Sequence, residues 1–173
     1  AVALRAAEPP LAERLQRVRD AAPRLQAVVA ALLGLFRAGA EPRRSEVDLV
    51  ALLARLPTSS LQVEVVPGAR LHADPDLLAA ALVNLLDNAQ RHGANHAWIE
   101  QPAPGRLRLR DDGPGVDAPT RRRLQQAIDR QAYDGVTGLG LMLADRVARA
   151  HGGWLRLGEG PGFVVEMGLG EVA

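Results

Sequence analysis

Two asparagines four residues apart, Asn84 and Asn88, stand in the stretch LVNLLDNAQRHG, with Arg91 and His92 close behind. Positions four apart on a helix lie one above the other on the same face. Leu78, Ala81, Leu82, Leu85 and Ala89 supply an apolar stripe that buries the opposite side. One helix therefore presents two amides, a guanidinium and an imidazole to a common space. Asparagine is a weak helix former that prefers caps and turns. A pair of them on one face, mid-helix, points to a ligand more than to a solvated surface.

Two glycine motifs follow. DDGPG at 111–115 sits at the end of a strand pattern. Its glycines and proline make a rigid turn that something can approach closely. Asp111 accepts hydrogen bonds and donates none, which suits an exocyclic amine such as that of adenine. Read alone, the motif is a plain turn after a strand. GVTGLG at 135–140 runs into a helix. Glycines let the backbone come near a ligand, and a helix N-terminus offers unpaired N–H groups and a positive dipole end. That is a phosphate cradle or, read alone, a glycine-rich loop. It is not the dinucleotide fingerprint, because the spacing is reversed and no strand leads directly into it.

The elements that must hold these residues are legible from periodicity. Residues 1–8 read as the tail of a helix broken by Pro9 and Pro10. A long helix is expected over 11–37, apolar at alternating threes and fours, with a kink at Pro23. It suits a hairpin or dimer bundle. A linker covers 39–44, and Ser45 is expected to cap a short helix over 47–56. Strands are expected at 61–66 and 70–73, then a helix capped by Asp74 with Pro75 at its first position, running to about Gly93. Hairpin strands at 97–101 and 106–110 precede a charged helix from Pro119 to about Arg130 and another over 139–150. Gly152 and Gly153 close that helix, and strands at 154–157 and 163–167 form a last hairpin. Hairpins mixed with helices predict an α+β fold, a two-layer sandwich with helices on one face of a mixed sheet.

Composition narrows the classes. All 21 positive side chains are arginine, and the formal net charge is +1 without any basic block, so no nucleic-acid partner is expected. Cysteine is absent, which excludes disulfides, thiolate metal sites and cysteine nucleophiles. No run of about 18 apolar residues would span a membrane. His151 before a Gly-Gly pair and His72 at a strand end read as structural, and Arg121 to Arg123 as a solvated helix face.

Taken in order, these motifs resemble the ATP-binding catalytic domain of two-component sensor histidine kinases, in the GHKL (HATPase) superfamily. NLLDNAQRHG resembles that family's N box, DDGPG its first glycine box, TGLGL its second and GEGPGFVVEMGL its last. RLQAVVAALLGLFRAG followed by VDLVALL resembles the second helix of the dimerisation and phosphotransfer hairpin. The resemblance implies a Bergerat-type ATP-binding fold over 45–173, preceded by part of that hairpin over 1–44. It implies that Asn88 and Asn84 hold Mg2+ bridging the phosphates of ATP, that Arg91 reaches those phosphates, and that His92 flanks the nucleotide. Asp111 would accept from the adenine amine while Gly113 and Gly115 let the base lie against the turn. Thr137, Gly138, Leu139, Gly140 and Leu141 would serve the phosphates, and residues 116–137 would form a lid. Asn84 stands where the ATP-hydrolysing branch carries a glutamate base, and an amide cannot serve as one. That favours phosphoryl transfer to a protein.

The implied activity is transfer of the ATP γ-phosphoryl to a histidine and thence to an aspartate of a response regulator. The implied setting is a homodimer in the cytoplasm, on a protein that membrane spans elsewhere can anchor. The chain departs from the family in two ways. None of His72, His92, His96 and His151 lies in a phosphoacceptor box, so the chain is expected to begin downstream of one. The lid is short, and LQQAI at 124–128 lacks the family's phenylalanine. Two rival readings keep the superfamily: a degenerate module acting through protein–protein contacts, and a serine-directed kinase of the anti-sigma-factor type.

Overall fold

A computed structural model describes residues 42–56, 61–133 and 138–170. The hairpin expected over 1–44, apart from its irregular last three residues, lies outside the described residues, as do the turn at 57–60 and Thr137. The described chain runs β1 (Ser45–Asp48), α1 (Leu49–Leu53), β2 (Gln62–Val65), β3 (Arg70–Ala73), α2 (Pro75–Arg91), β4 (His96–Glu100), β5 (Arg106–Asp111), α3 (Ala118–Arg130), α4 (Leu139–Ala150), β6 (Trp154–Leu157) and β7 (Val164–Gly168).

Five strands form one mixed sheet in the order β2-β4-β5-β7-β6. β2 runs parallel to β4, and the other neighbours are antiparallel. Strand alternation sorts this sheet into two faces. Ala97, Ile99, Leu107, Leu109, Leu155, Val165 and Met167 point into the core together with α2 and α4. These two helices make the most extensive helix–helix contact. The fold is thus the expected α+β sandwich with helices on one face.

The opposite face is covered by arginine and tryptophan. The Arg110 guanidinium lies 3.9 Å from the Trp98 ring centre, and Trp98 stacks on His96 at 4.4 Å. Arg106 and Arg156 flank Trp154 at 5.6 and 4.6 Å. Arg108 pairs with Glu166 at 2.6 Å. Arginine stems and indoles shield the strands while the charged heads stay wet.

The caps explain where the helices begin. The Asp74 carboxylate accepts from the backbone N–H of Asp76 and Leu77, both at 3.1 Å, and Pro75 opens α2 as expected. α3 begins after Asp117, whose carboxylate accepts from Thr120 N at 2.8 Å. The Thr120 side-chain hydroxyl, then that backbone bond and the nearby Arg123 and Arg122, hold Asp117 below the usual carboxylate range. The region after Ser45 corrects the sequence reading. Residues 45–48 are a strand, paired antiparallel with β3 in a separate two-stranded sheet, and the helix cap is Asp48, not Ser45. The Val47 side chain is buried on that ribbon. A partner strand outweighed the local capping signal, because β3 supplies a whole ladder where a cap satisfies one donor.

Candidate functional site

α2 is the spine of the site. Its long apolar surface, including Leu78, Ala81, Leu82, Leu85 and Ala89, is buried. Asn84 and Asn88 are half-buried on its remaining face. The Asn84 amide nitrogen donates to Ala80 O at 2.8 Å. Only the NH2 of an amide can face that carbonyl, so its oxygen is turned away and left available. The Asn88 amide makes no hydrogen bond to another described residue. At the C-terminal end, Arg91 is exposed and ion-paired with Asp87 at 2.8 Å. The guanidinium stands in solvent and is held weakly, while the Asp87 side chain is only 13% exposed. His92 is the exposed C-cap.

Strand alternation places Asp111. Leu107 and Leu109 face the helices, so Asp111, the next residue in phase, faces them too, at the strand end. Asp111 is 4% exposed. Its Oδ1 accepts from Gly113 N at 2.9 Å and Phe163 N at 3.0 Å. Its Oδ2 takes no hydrogen bond from a described residue and is not sealed off, leaving one acceptor free in a fixed direction. Three glycines make this possible. A Cβ on Gly113 would stand 3.1 Å from Asp111 Oδ1 and 3.6 Å from the Ala94 side chain, just past the end of α2. A Cβ on Gly162 would overlap the Asp111 carbonyl oxygen, and one on Gly115 the Gly162 carbonyl oxygen. Both residues have φ above +60°, at 76° and 65°. The DDGPG turn and the last hairpin loop interlock around Asp111. The adjacent Asp112 does a different job. Its Oδ1 accepts from His96 N at 2.9 Å and Asn95 N at 2.8 Å, and these bonds hold its carboxyl below the usual range. It anchors the start of β4.

The third component is the start of α4. α1, α2 and α3 each begin with an aspartate cap, but α4 begins at Gly138 with no side-chain cap and no acidic residue in its first turn. Among the described residues no side chain caps the amides of Leu139, Gly140 and Leu141, and no acidic residue of that turn competes for them. Gly140 lies against α2: a Cβ there would stand 3.0 Å from Asn84 O. Leu139 is half exposed.

The structure thus brings Asn84, Asn88, Asp111, Gly113, Gly115, Gly138, Leu139, Gly140 and Leu141 along one helix. The uncapped turn abuts Asn84, and the carboxylate turn abuts the residue pair beyond His92. The two contacts are on the order of 10 Å or more apart along the α2 axis. An extended ligand with an amine-bearing ring at one end and an anion at the other matches that layout. Among the described residues no group of three or more His, Asp or Glu side chains is placed to hold a metal. A cation here would rest on amide oxygens and on the ligand's own oxygens, the donor set that magnesium accepts.

The sequence reading missed the polar contacts of α3. Tyr133 O–H donates to the fully buried Asp145 Oδ2, and Arg149 Nε donates to the same oxygen at 2.7 Å. A signal was present: Asp145 falls in phase with Leu141, Ala144 and Ala148 on the core side of α4, with an arginine four residues on.

A family model described as histidine kinase-, DNA gyrase B-, and HSP90-like ATPase matches residues 73–171, more than half of the chain. The chain is 30% identical over 174 residues to the sensor histidine kinase CpxA of Escherichia coli strain K12, covering 86% of this chain and 37% of that protein. It is 34% identical over 148 residues to the sensor protein CseC of Streptomyces avermitilis, covering 78% of this chain and 29% of that protein. Among solved structures, the ATP-binding domain of PrrB from Mycobacterium tuberculosis superposes with a TM-score of 0.56 at 24% identity, covering 75% of this chain and 98% of that one. The chain spans less than two-fifths of the length of these curated relatives. With the family's model lying over α2, the Asp111 turn and the uncapped start of α4 alike, the chain belongs to the histidine kinase-, DNA gyrase B- and HSP90-like ATPases.

Proposed function

We propose that this chain is the ATP-binding catalytic region of a two-component sensor histidine kinase. In the intact protein it would serve transfer of the γ-phosphoryl from ATP to a histidine on a dimerisation hairpin, over residues 1–44 and beyond, and thence to an aspartate of a response regulator. That protein would be a homodimer working on the cytoplasmic side. Among the described residues no helix is long and apolar enough to cross a membrane.

The observation that carries the reading is the uncapped N-terminus of α4 seated against Asn84, where each of the other described helices is capped by aspartate. Open amides and a positive dipole end suit the phosphates. Asp111 would accept from the adenine amine through Oδ2, with Gly113 and Gly115 clearing room for the base. The oxygens of Asn88 and Asn84 would complete the shell of a magnesium ion, whose charge neutralises the phosphates when bound. The exposed Arg91 guanidinium would turn from Asp87 to meet the same phosphates, and His92 would flank the nucleotide. Asn84, a neutral amide, cannot deprotonate water, which favours a protein acceptor over hydrolysis.

Calorimetric titration with a non-hydrolysable ATP analogue and magnesium tests this, beside Asp111→Asn. The asparagine keeps the acceptor for Gly113 and Phe163 but turns a donor toward the adenine amine. Saturable binding by the parent, weakened about 10- to 100-fold in the variant, is the expected result. A folded parent that does not bind at millimolar nucleotide would overturn the reading and leave the protein-contact module.

A further inference from the structure

α3 lies between the Asp111 turn and the start of α4, yet only Leu124, Ala127 and Ile128 of its residues are buried. So thin an apolar face holds a helix weakly. Polar contacts take over at three points. Gln125 Oε1 accepts from Leu157 N at 2.8 Å, and Gln125 Nε2 donates to Leu155 O at 3.4 Å. β6 is an edge strand, so this one side-chain amide occupies the ladder positions that a further strand would take. Near the helix start, Arg121 pairs with Glu159 at 2.6 Å. At its end, Tyr133 donates to Asp145, while Arg149 donates to Asp145 Oδ2 at 2.7 Å and to Ile128 O at 3.1 Å.

Asp145 is the telling member. It is wholly buried, and its Oδ1 has no hydrogen-bond partner. A buried carboxylate with an idle oxygen costs stability that an apolar side chain of similar size would not. An apolar contact can slide. The Tyr133–Asp145–Arg149 set has one geometry and ties the end of α3 to the middle of α4, whose first turn carries the open amides. On the nucleotide reading given above, we propose that Gln125, Tyr133, Asp145 and Arg149 are positioning residues for phosphate binding. They fix α3 to the sheet edge and to α4, and so set where the α4 N-terminus meets the phosphates.

The protein has a single tyrosine, so Tyr133 reports on itself. Burial, then the bond to Asp145, push its phenol up to about 12. Ultraviolet titration of the parent is expected to show that late ionisation, and Asp145→Asn to bring it back toward the ordinary value. Hydrogen exchange is expected to show the Leu157 amide protected in the parent and exposed in Gln125→Ala. Tyr133→Phe and Gln125→Ala, which keep the fold by circular dichroism, are each expected to weaken binding of the magnesium–ATP analogue about tenfold while leaving adenosine binding unchanged. That split separates positioning from general loosening, which would lower both. A parent that binds, with variants that bind the analogue equally well, overturns this inference alone. A parent that binds neither ligand overturns the nucleotide reading and this inference with it.

Discussion

At the scale of single residues the site is a set of polar atoms with unused capacity. Asp111 spends one oxygen on two backbone donors and keeps the other. Asn84 gives its nitrogen to Ala80 and keeps its oxygen. Asn88 keeps its whole amide among the described residues. If Asn88 is a magnesium ligand, Asn88→Ala should abolish the magnesium dependence of nucleotide binding and leave magnesium-free binding near the parent value. Calorimetry with and without the ion checks this. An equal loss under both conditions would place Asn88 on the nucleotide instead. Arg91 predicts differently. Its guanidinium is exposed, but the Asp87 side chain it pairs with is only 13% exposed, so Arg91→Ala, which removes one partner of a largely buried carboxylate, should lower stability by about 1–2 kcal/mol in urea titrations.

At the scale of elements, the start of α4 lacks the stabilising side-chain cap that the other described helices have. Gly138 has extended backbone, and a Cβ there would meet nothing within 4 Å. Gly138→Asp should therefore fit, cap α4 like the other helices and stabilise the protein by up to about 1 kcal/mol. The same carboxylate would repel phosphates, so analogue affinity should fall while the urea midpoint rises. A variant that gains stability and keeps its affinity would show that the phosphates do not lie there. The last hairpin loop is constrained in another way. Gly162→Ala combines a positive φ with overlap on the Asp111 carbonyl, and should cost about 1–3 kcal/mol in urea unfolding. It should weaken adenosine binding too, since Phe163 N helps aim the Asp111 carboxylate.

At the scale of the whole molecule, His151 ties the two central helices together. Its Nδ1 lies 2.8 Å from Val147 O, and its Nε2 accepts from Asp74 N at 2.9 Å. The first contact needs a donor and the second an acceptor, so the ring is the neutral tautomer. Burial, the largest influence, lowers its pKa below the ordinary 6.5. Between the lowered value and 6.5 the unfolded chain binds more protons than the folded one. The contribution to stability is thus fully present above pH 6.5 and fades as pH falls toward the folded value. Urea midpoints measured from about pH 7.5 down to 5 should decline in the parent. In His151→Gln that decline should be shallower from a lower starting point. Asp74 makes the joint wider: besides capping α2, its Oδ2 accepts from Arg43 N at 2.9 Å. The incoming chain, the asparagine helix and the end of α4 meet at one carboxylate and one imidazole.

Periodicity and punctuation were enough to place the main elements. α4 was read at its observed bounds, α2 started at Asp74 and Pro75 as expected, and the alternation of Arg and Leu over 106–110 marked the wet and core faces of β5, which runs one residue further, through Asp111. These are local properties: a cap satisfies its own first turn, and a strand alternates whatever it pairs with. Three features were decided only by tertiary structure. Residues 45–48 became a strand because β3 lies beside them. Gly162 is required because the chain folds back onto the Asp111 carbonyl. Gln125 serves as a strand because α3 reaches the open edge at Leu155 and Leu157. Each depends on a partner about 25 or more residues away, and a chain read in order carries its propensities but not its distant neighbours.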